Sequence, residues 1–282
     1  MSLVDISKTG VVLFNGAVGG EICALEAGFF RGAVLFETLR CYGGEVFRRG
    51  GHLGRLVESC RAFCFETPDL DLLEREVLAV SRGECVVGIT VSASGARLVR
   101  SSSMALERIG REVTLGIFEV GVGATELAAH KHGSRGLWEA TARRQGVDEV
   151  LLVSPAGELL EASSSNIIAV VDGAIVTPPL DGRQLPGVTR GAMLEAAGEI
   201  GLEVVERPLL ADEELDELYL CSSLKELAPA NLSLLNGRGE GPRVLKQGWG
   251  PMGAALHRAF QRLVERELEL PAGSLNRGAR PE

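Results

Sequence analysis

Leu160-Glu161-Ala162-Ser163-Ser164-Ser165-Asn166-Ile167, followed downstream by Leu185-Pro186-Gly187-Val188-Thr189-Arg190, are the runs whose reading decides this chain. The first sets a carboxylate and three hydroxyls among apolar, strand-like residues. That placement costs free energy unless the polar groups find partners; taken alone, the run also fits an exposed polar loop. The second run puts a glycine ahead of a helix. Glycine lets the backbone approach a ligand, and the first-turn N–H groups have no intrahelical acceptor, so the geometry suits an anion. Taken alone, it also fits an ordinary helix start. Ser222-Ser223, after the apolar strand 218–221, add hydroxyls and N–H groups at a strand end. No GxGxxG or Walker pattern accompanies them, so a nucleoside triphosphate is not indicated.

A fourth feature is His130-Lys131-His132. The chain has only four lysines, Lys8, Lys131, Lys225 and Lys246. Lysine can do what arginine cannot: lose its proton, attack a carbonyl and form a Schiff base. A solvated surface lysine is the competing reading. Together the four features supply a Schiff-base lysine, a carboxylate and several phosphate-sized donor groups, which is the inventory that pyridoxal 5′-phosphate requires.

Composition narrows the classes. The 282-residue chain has a formal net charge of −9 and carries no basic stripe, so nucleic acid is not an expected partner. No apolar run is long enough to span a bilayer, and the first residues lack a signal-peptide pattern. Cys23, Cys41, Cys60, Cys64, Cys85 and Cys221 form no CxxC pair and sit among apolar neighbours. They read as buried free thiols in a reducing compartment, which makes the cytoplasm the expected location. Cys60 and Cys64 share a helix face at this spacing, but two thiols without a second pair make no zinc site, and no metal is expected.

Along the chain, residues 11–14 are strand-like and Asn15-Gly16 is a tight turn. Residues 38–42 and 45–48 form a hairpin across Gly43-Gly44, helices follow around 53–63 and 70–81, and strands are expected over 85–92 and 113–120. The reading divides the chain into an α/β domain over 1–120, a glycine-rich linker over 121–124, a second domain over 125–270 and a disordered tail over 271–282. In the second domain, strands are expected near 149–153, 159–160, 166–171, 174–176, 203–206 and 218–221. Helices are expected up to residue 144, over 190–200 and over 252–267.

The runs Phe36-Glu37-Thr38-Leu39-Arg40, His52-Leu53-Gly54-Arg55-Leu56, Gly146-Val147-Asp148-Glu149, Thr177-Pro178-Pro179 and Ser222-Ser223-Leu224-Lys225-Glu226 join the two opening runs in one order. In that order the chain resembles the class IV aminotransferases, which are fold-type IV pyridoxal-phosphate enzymes. The family includes branched-chain and D-amino-acid aminotransferases and aminodeoxychorismate lyase. The resemblance implies an α/β (α+β) fold of two domains, a small mixed N-terminal one and a larger one with a barrel-like β-core. It also implies a homodimer. It assigns Lys131 to the cofactor aldehyde and to proton transfer, Glu161 to the pyridine nitrogen, and Arg55 with Val188, Thr189, Ser222 and Ser223 to the phosphate side. Lys225 is the rival lysine, with an outward or structural role expected for it.

Departures from the family pattern fall on the substrate side. The segment from Lys131 to Gly146 is short and lacks an Asn-Tyr pair, and Arg31-Gly32-Ala33-Val34 replaces an aromatic-Gly-Asp-Gly run. Ser92-Ala93-Ser94-Gly95 stands where relatives place an arginine for the substrate carboxylate. Arg40, Arg97 or Arg31 could take that part, and Phe36, Arg40, Arg97, Ser223 and Leu224 are the expected substrate contacts. The implied activity is amino transfer between an amino acid and a 2-oxo acid. Release of 4-aminobenzoate by a lyase and ligand binding without turnover are the alternatives.

Overall fold

A computed structural model describes residues 12–18, 28, 31–121, 125–232 and 242–275. It contains two compact units, Met1–Ala105 with His130–Ser134, and Leu106–Ala129 with Arg135–Glu282.

The first unit is built on a sheet of β1 (Val12–Phe14), β2 (Ala17–Val18), β3 (Val34–Tyr42), β4 (Glu45–Val46), β5 (Cys85–Ser92) and β6 (Arg97–Ser103), ordered β2-β1-β6-β5-β3-β4. Asn15 and Gly16 turn β1 into β2 with φ of 47° and 85°, the left-handed conformation that a two-residue hairpin turn demands. Strand alternation sends Leu35, Glu37, Leu39 and Cys41 to one face of β3 and Phe36, Thr38, Arg40 and Tyr42 to the other. The first face packs with Val87, Ile89 and Val91 of β5 against Leu53, Leu56 and Cys60 of α1 (Arg49–Ala62) and Leu73, Val77 and Val80 of α2 (Leu70–Val80). Asp69 caps α2 by accepting from Leu72 N at 2.9 Å. Strand β6 was not among the expected strands. Its run Arg97-Leu98-Val99-Arg100-Ser101-Ser102-Ser103 offers Val99 alone as a fully buried apolar residue, so its strand character comes from pairing with β5 and β1.

The second unit holds a nine-stranded sheet, ordered β12-β11-β10-β15-β16-β7-β8-β9-β13. Its strands are β7 (Val113–Glu119), β8 (Glu149–Val153), β9 (Glu158–Ala162), β10 (Asn166–Val171), β11 (Ala174–Thr177), β12 (Val204–Glu206), β13 (Leu209–Leu210), β15 (Glu217–Ser222) and β16 (Glu226–Asn231). A separate pair joins β14 (Glu214–Leu215) to β17 (Arg243–Val244). The helices are the short α3 (Thr125–Ala128), α4 (Gly136–Gln145), α5 (Val188–Glu199) and α6 (Pro251–Glu267).

The division differs from the expected boundary at 120 in two ways. Strand β7 pairs in parallel with β8 and β16, which places it in the second unit, while the Lys131 segment joins the first. Neither parallel partner is adjacent in sequence, so a local reading assigned β7 by neighbourhood. Of the linker, residues 122–124 lie outside the described residues, as do residues 276–282 of the expected tail; 271–275 are described, and Leu275 is buried. Cys64 is exposed, contrary to expectation, because α1 ends at Ala62 and the chain turns through Cys64 at φ 54°. Among the described residues no group of His, Cys, Asp and Glu could hold a metal, and no helix is long and apolar enough to cross a membrane.

Helix α6 is held by a buried polar clasp. Tyr219 Oη donates to Glu217 Oε2 at 2.6 Å and accepts from Gly250 N at 2.8 Å, while Gly253 N donates to Glu217 at 2.8 Å. The clasp raises the Tyr219 hydroxyl pKa through burial first and then the Glu217 carboxylate. A Cβ on Gly253 would lie 2.0 Å from Tyr219 Cζ. Gly253→Ala is therefore expected to cost about 1–3 kcal/mol by overpacking, read as a lower urea midpoint in equilibrium unfolding.

Candidate active site

In the first unit, residues 131–133 run antiparallel to the start of β3, joined to it by one isolated bridge. Phe36 N donates to Lys131 O and Gly133 N to Val34 O, each at 2.9 Å, and Leu35 bridges His132. The flanking histidines explain why the segment stays there. Both pack their rings on Phe63, at 5.8 and 5.9 Å between centroids, and His130 Nδ1 sits 3.1 Å from Ser59 Oγ. Lys131 is half-buried with its Nζ 4.6 Å from the centre of the Phe36 ring, a cation–π contact that fixes the amine over an apolar surface. Gly133 is needed for the close approach, since a Cβ there would meet Val34 Cγ2 at 2.4 Å and Gly32 O at 3.1 Å. Gly133→Ala is expected to shift Lys131 and lower turnover by up to about 100-fold, as an ångström of misplacement does, while the unfolding midpoint changes little. Val34→Ala in the same chain should restore turnover.

Across β3 from Phe36 lies a buried charge cluster. Arg55 donates to both oxygens of Glu37, Nε to Oε1 and Nη2 to Oε2, each at 2.7 Å, and His52 Nδ1 lies 2.8 Å from Oε2. Burial alone would push the Glu37 carboxyl up; the hydrogen bonds from His52 and Arg55 and their charges outweigh it and hold Glu37 at about 2. His52 is pulled down, first by burial and against the raising effect of Glu37, with the charges of Arg55 and Lys131 adding to the lowering. Arg55, expected on the phosphate side, thus also holds Glu37.

In the second unit, the two decisive runs meet. Glu161 Oε2 accepts from Asn166 Nδ2 and from Leu185 N, both at 3.2 Å, and Asn166 Nδ2 also donates to Leu185 O at 2.8 Å. A Cβ on Gly187 would fall 1.9 Å from Asn166 Oδ1, so the glycine before α5 is what lets this backbone close on the asparagine. Gly187 has no side chain to cap α5, so the first-turn N–H groups of Val188 and Thr189 receive no cap from it. Thr189 is buried. Arg190 turns away to Pro178 O at 2.9 Å and Glu206 Oε2 at 2.5 Å, tying α5 to β12. Asn166 pairs in register with Cys221, which brings the end of β15 and Ser222 beside it. Ser223 and Leu224 follow in the turn to β16, half-buried. Lys225 forms an ion pair with Glu149 and lies 3.3 Å from Ser164 Oγ, so its amine is committed to a structural pair.

The substrate-side arginines are dispersed. Arg97 grips Glu76 of α2 with Nε and Nη2 at 2.7 and 2.6 Å, on the helix-covered face and away from Phe36. Arg40 is on the Phe36 face, buried, with Nη2 3.0 Å from Glu84 Oε2. Arg31 is exposed. Asn166 and Glu37 had no expected role, although both stood inside quoted runs; the signal was a carboxamide opening the apolar run Ile167–Val171 and a carboxylate alternating with Leu35 and Leu39 on one face of β3.

The family described as amino-transferase class IV matches residues 34–232. The branched-chain-amino-acid aminotransferase of Pseudomonas aeruginosa is 33% identical over 321 aligned positions, covering 96% of this chain and 98% of that protein. The enzyme of that name from Escherichia coli K12 is 26% identical over 302 positions, covering 93% and 95%. Among solved structures, a hypothetical aminotransferase from Mycobacterium tuberculosis in its PLP-bound form superposes with a TM-score of 0.79 at 22% identity, covering 92% of this chain and all of that one. The E. coli branched-chain enzyme gives 0.75 at 23%, covering 91% and 95%. These likenesses establish the fold, and the family match over most of the chain establishes membership: this chain belongs to the class IV aminotransferases.

Proposed function

We propose that the protein is a pyridoxal 5′-phosphate-dependent aminotransferase that moves an amino group between an amino acid and a 2-oxo acid. The observation that carries the reading is the brace at Glu161, where Asn166 and Leu185 hold the carboxylate beside an uncapped helix start. The chemistry of each unit's donors suits the cofactor: the second unit has a fixed carboxylate for a pyridinium and N–H and hydroxyl donors at Val188, Thr189, Ser222 and Ser223 for a phosphate, and the first has Arg55 for a phosphate and Lys131 for the aldehyde, the parts that the family resemblance implies for them. When bound, the cofactor supplies that aldehyde and a ring that accepts electrons.

The chain's own residues then have distinct tasks. Lys131 Nζ, held on Phe36, gives up its proton to act as a nucleophile and later takes a proton from the substrate Cα and returns one, as general base and acid. Glu161, held by Asn166 and Leu185, is placed to accept from the ring nitrogen. The α5 start and the serines bind and orient the phosphate through hydrogen bonds to an anion.

The names of the relatives make branched-chain amino acids the first donors to assay. A homodimer and a cytoplasmic location belong to the same reading, the first supported by the family resemblance and the second by free thiols at Cys41, Cys60, Cys64, Cys85 and Cys221. The test is product analysis with added cofactor, a branched-chain amino acid and a 2-oxo acid. The expected result is a new amino acid and the matching branched-chain oxo acid in equal amounts. Pyruvate and 4-aminobenzoate from aminodeoxychorismate, with no amino transfer, would overturn it in favour of the lyase. Cofactor uptake without turnover would overturn it in favour of a binding protein.

A further inference from the structure

The departures from the family pattern leave the substrate carboxylate without an assigned arginine, and the first unit supplies one that the sequence reading did not consider. Strand register aligns Thr38 of β3, Gly88 of β5 and Arg100 of β6 in one row. Cross-strand partners point to the same face, so all three lie on the face of Phe36, over which the Lys131 amine sits. Strands β3 and β6 are two spacings apart, about 10 Å. Arg100, itself exposed, leaves its own strand and lies over the neighbouring strand β5, toward β3. Its Nε and Cζ lie 3.2 and 3.4 Å from where a Cβ on Gly88 would be. Gly88 has no left-handed φ, so its backbone would accept other residues; what the glycine provides is an open lane for the arginine. Among the described residues no carboxylate pairs with Arg100.

A second observation on the same face points to an anion. Arg40, two residues beyond Thr38, is 2% exposed, yet its Nε and Nη1 have no acceptor among the described residues. Buried guanidinium donors without an acceptor are costly, and a carboxylate would satisfy them in the forked geometry that arginine prefers. Arg97, by contrast, is spent on Glu76 across the sheet.

We propose that Arg100, laid across Gly88, binds the carboxylate of the amino acid and 2-oxo acid substrates, with Arg40 as a second positive group on the same face. The inference rests on the aminotransferase reading above and goes beyond it by naming the residue that recognises the substrate.

The experiment compares Arg100→Gln, Arg100→Lys and Gly88→Val with the wild type as cofactor-loaded enzymes. Arg100→Gln should raise KM for both the amino acid and the oxo acid by about 10- to 100-fold with kcat little changed, the signature of lost uniform binding through a charge-assisted pair. Gly88→Val, which blocks the lane and keeps the arginine, should do the same, and Arg100→Lys should recover part of the loss. The Ki of 4-methylpentanoate, a carboxylate with neither amino nor keto group, should rise in parallel. KM for a primary amine donor that lacks a carboxylate should stay constant. Unchanged KM and Ki in Arg100→Gln, or an equal rise for the carboxylate-free amine, would overturn the proposal while leaving the enzyme assignment intact. A wild-type protein that transfers no amino group overturns both.

Discussion

Replacing Lys131 by alanine is expected to abolish amino transfer, by about 10⁴-fold or more, because one amine carries both the covalent attachment and the proton transfers. The visible absorbance of protein-bound pyridoxal 5′-phosphate should disappear with it. Lys131→Arg should be equally inactive although it keeps the positive charge over Phe36, since a guanidinium does not lose its proton in a protein. Neither variant should unfold the first unit. The segment is held by backbone bonds from Phe36 and Gly133 and by His130 and His132 on Phe63, none of which uses the lysine side chain. Lys225→Ala is the control. Its amine is paired with Glu149, so the absorbance should survive. Absorption spectra and single-turnover assays on the three variants decide the matter. Absorbance kept in Lys131→Ala and lost in Lys225→Ala would move the reacting lysine to Lys225 and sink the assignment.

The second large effect is on stability. Glu37→Gln leaves the Arg55 guanidinium buried without its carboxylate, and breaking a buried ion pair from one side costs about 3–5 kcal/mol. The same cluster sets an acid limb. Glu37 titrates at about 2 in the folded protein against the ordinary 4.5. Its contribution is therefore complete above about pH 4.5 and is lost as the pH falls toward 2. The gap is worth roughly 3 kcal/mol at most. His52 acts in the same direction, because its folded-state pKa lies below the ordinary 6.5, so stability also drops as the pH falls beneath that value. Urea melts of the wild type should weaken between pH 7 and pH 3, and those of Glu37→Gln should weaken less over the same interval. The double change Glu37→Leu with Arg55→Met should recover much of the loss at pH 7, since an apolar pair carries no desolvation cost. Equal acid sensitivity in wild type and Glu37→Gln would show that the cluster is not the source of the limb.

Legibility varied with how local each feature is. Hairpins were readable from Asn15-Gly16 and Gly43-Gly44, because turn conformations are written in two residues. Helices α1, α2, α5 and α6 were readable from apolar spacing and ends. Strands β6 and β16 were not, because Arg97–Ser103 is mostly polar and Glu226–Asn231 contains a proline, which argues against a strand from the sequence alone. At the site, Glu161 and the Gly187-Val188-Thr189 turn were legible as types of residue; that Asn166 joins them was not, since the contact spans residues distant in sequence.

The sequence by itself determined the family, the rarity of Lys131 and the inventory of carboxylate, lysine and donor groups, all of which are properties of residue type and order. Only the tertiary structure decided which side of β3 each charge occupies. It turned Arg97 to Glu76 and Arg55 to Glu37, laid Arg100 across Gly88, and brought the Lys131 segment back to the first unit, bridged to β3. The physical reason is that a side chain's face follows from strand register, and register is set by pairings between segments far apart in the chain.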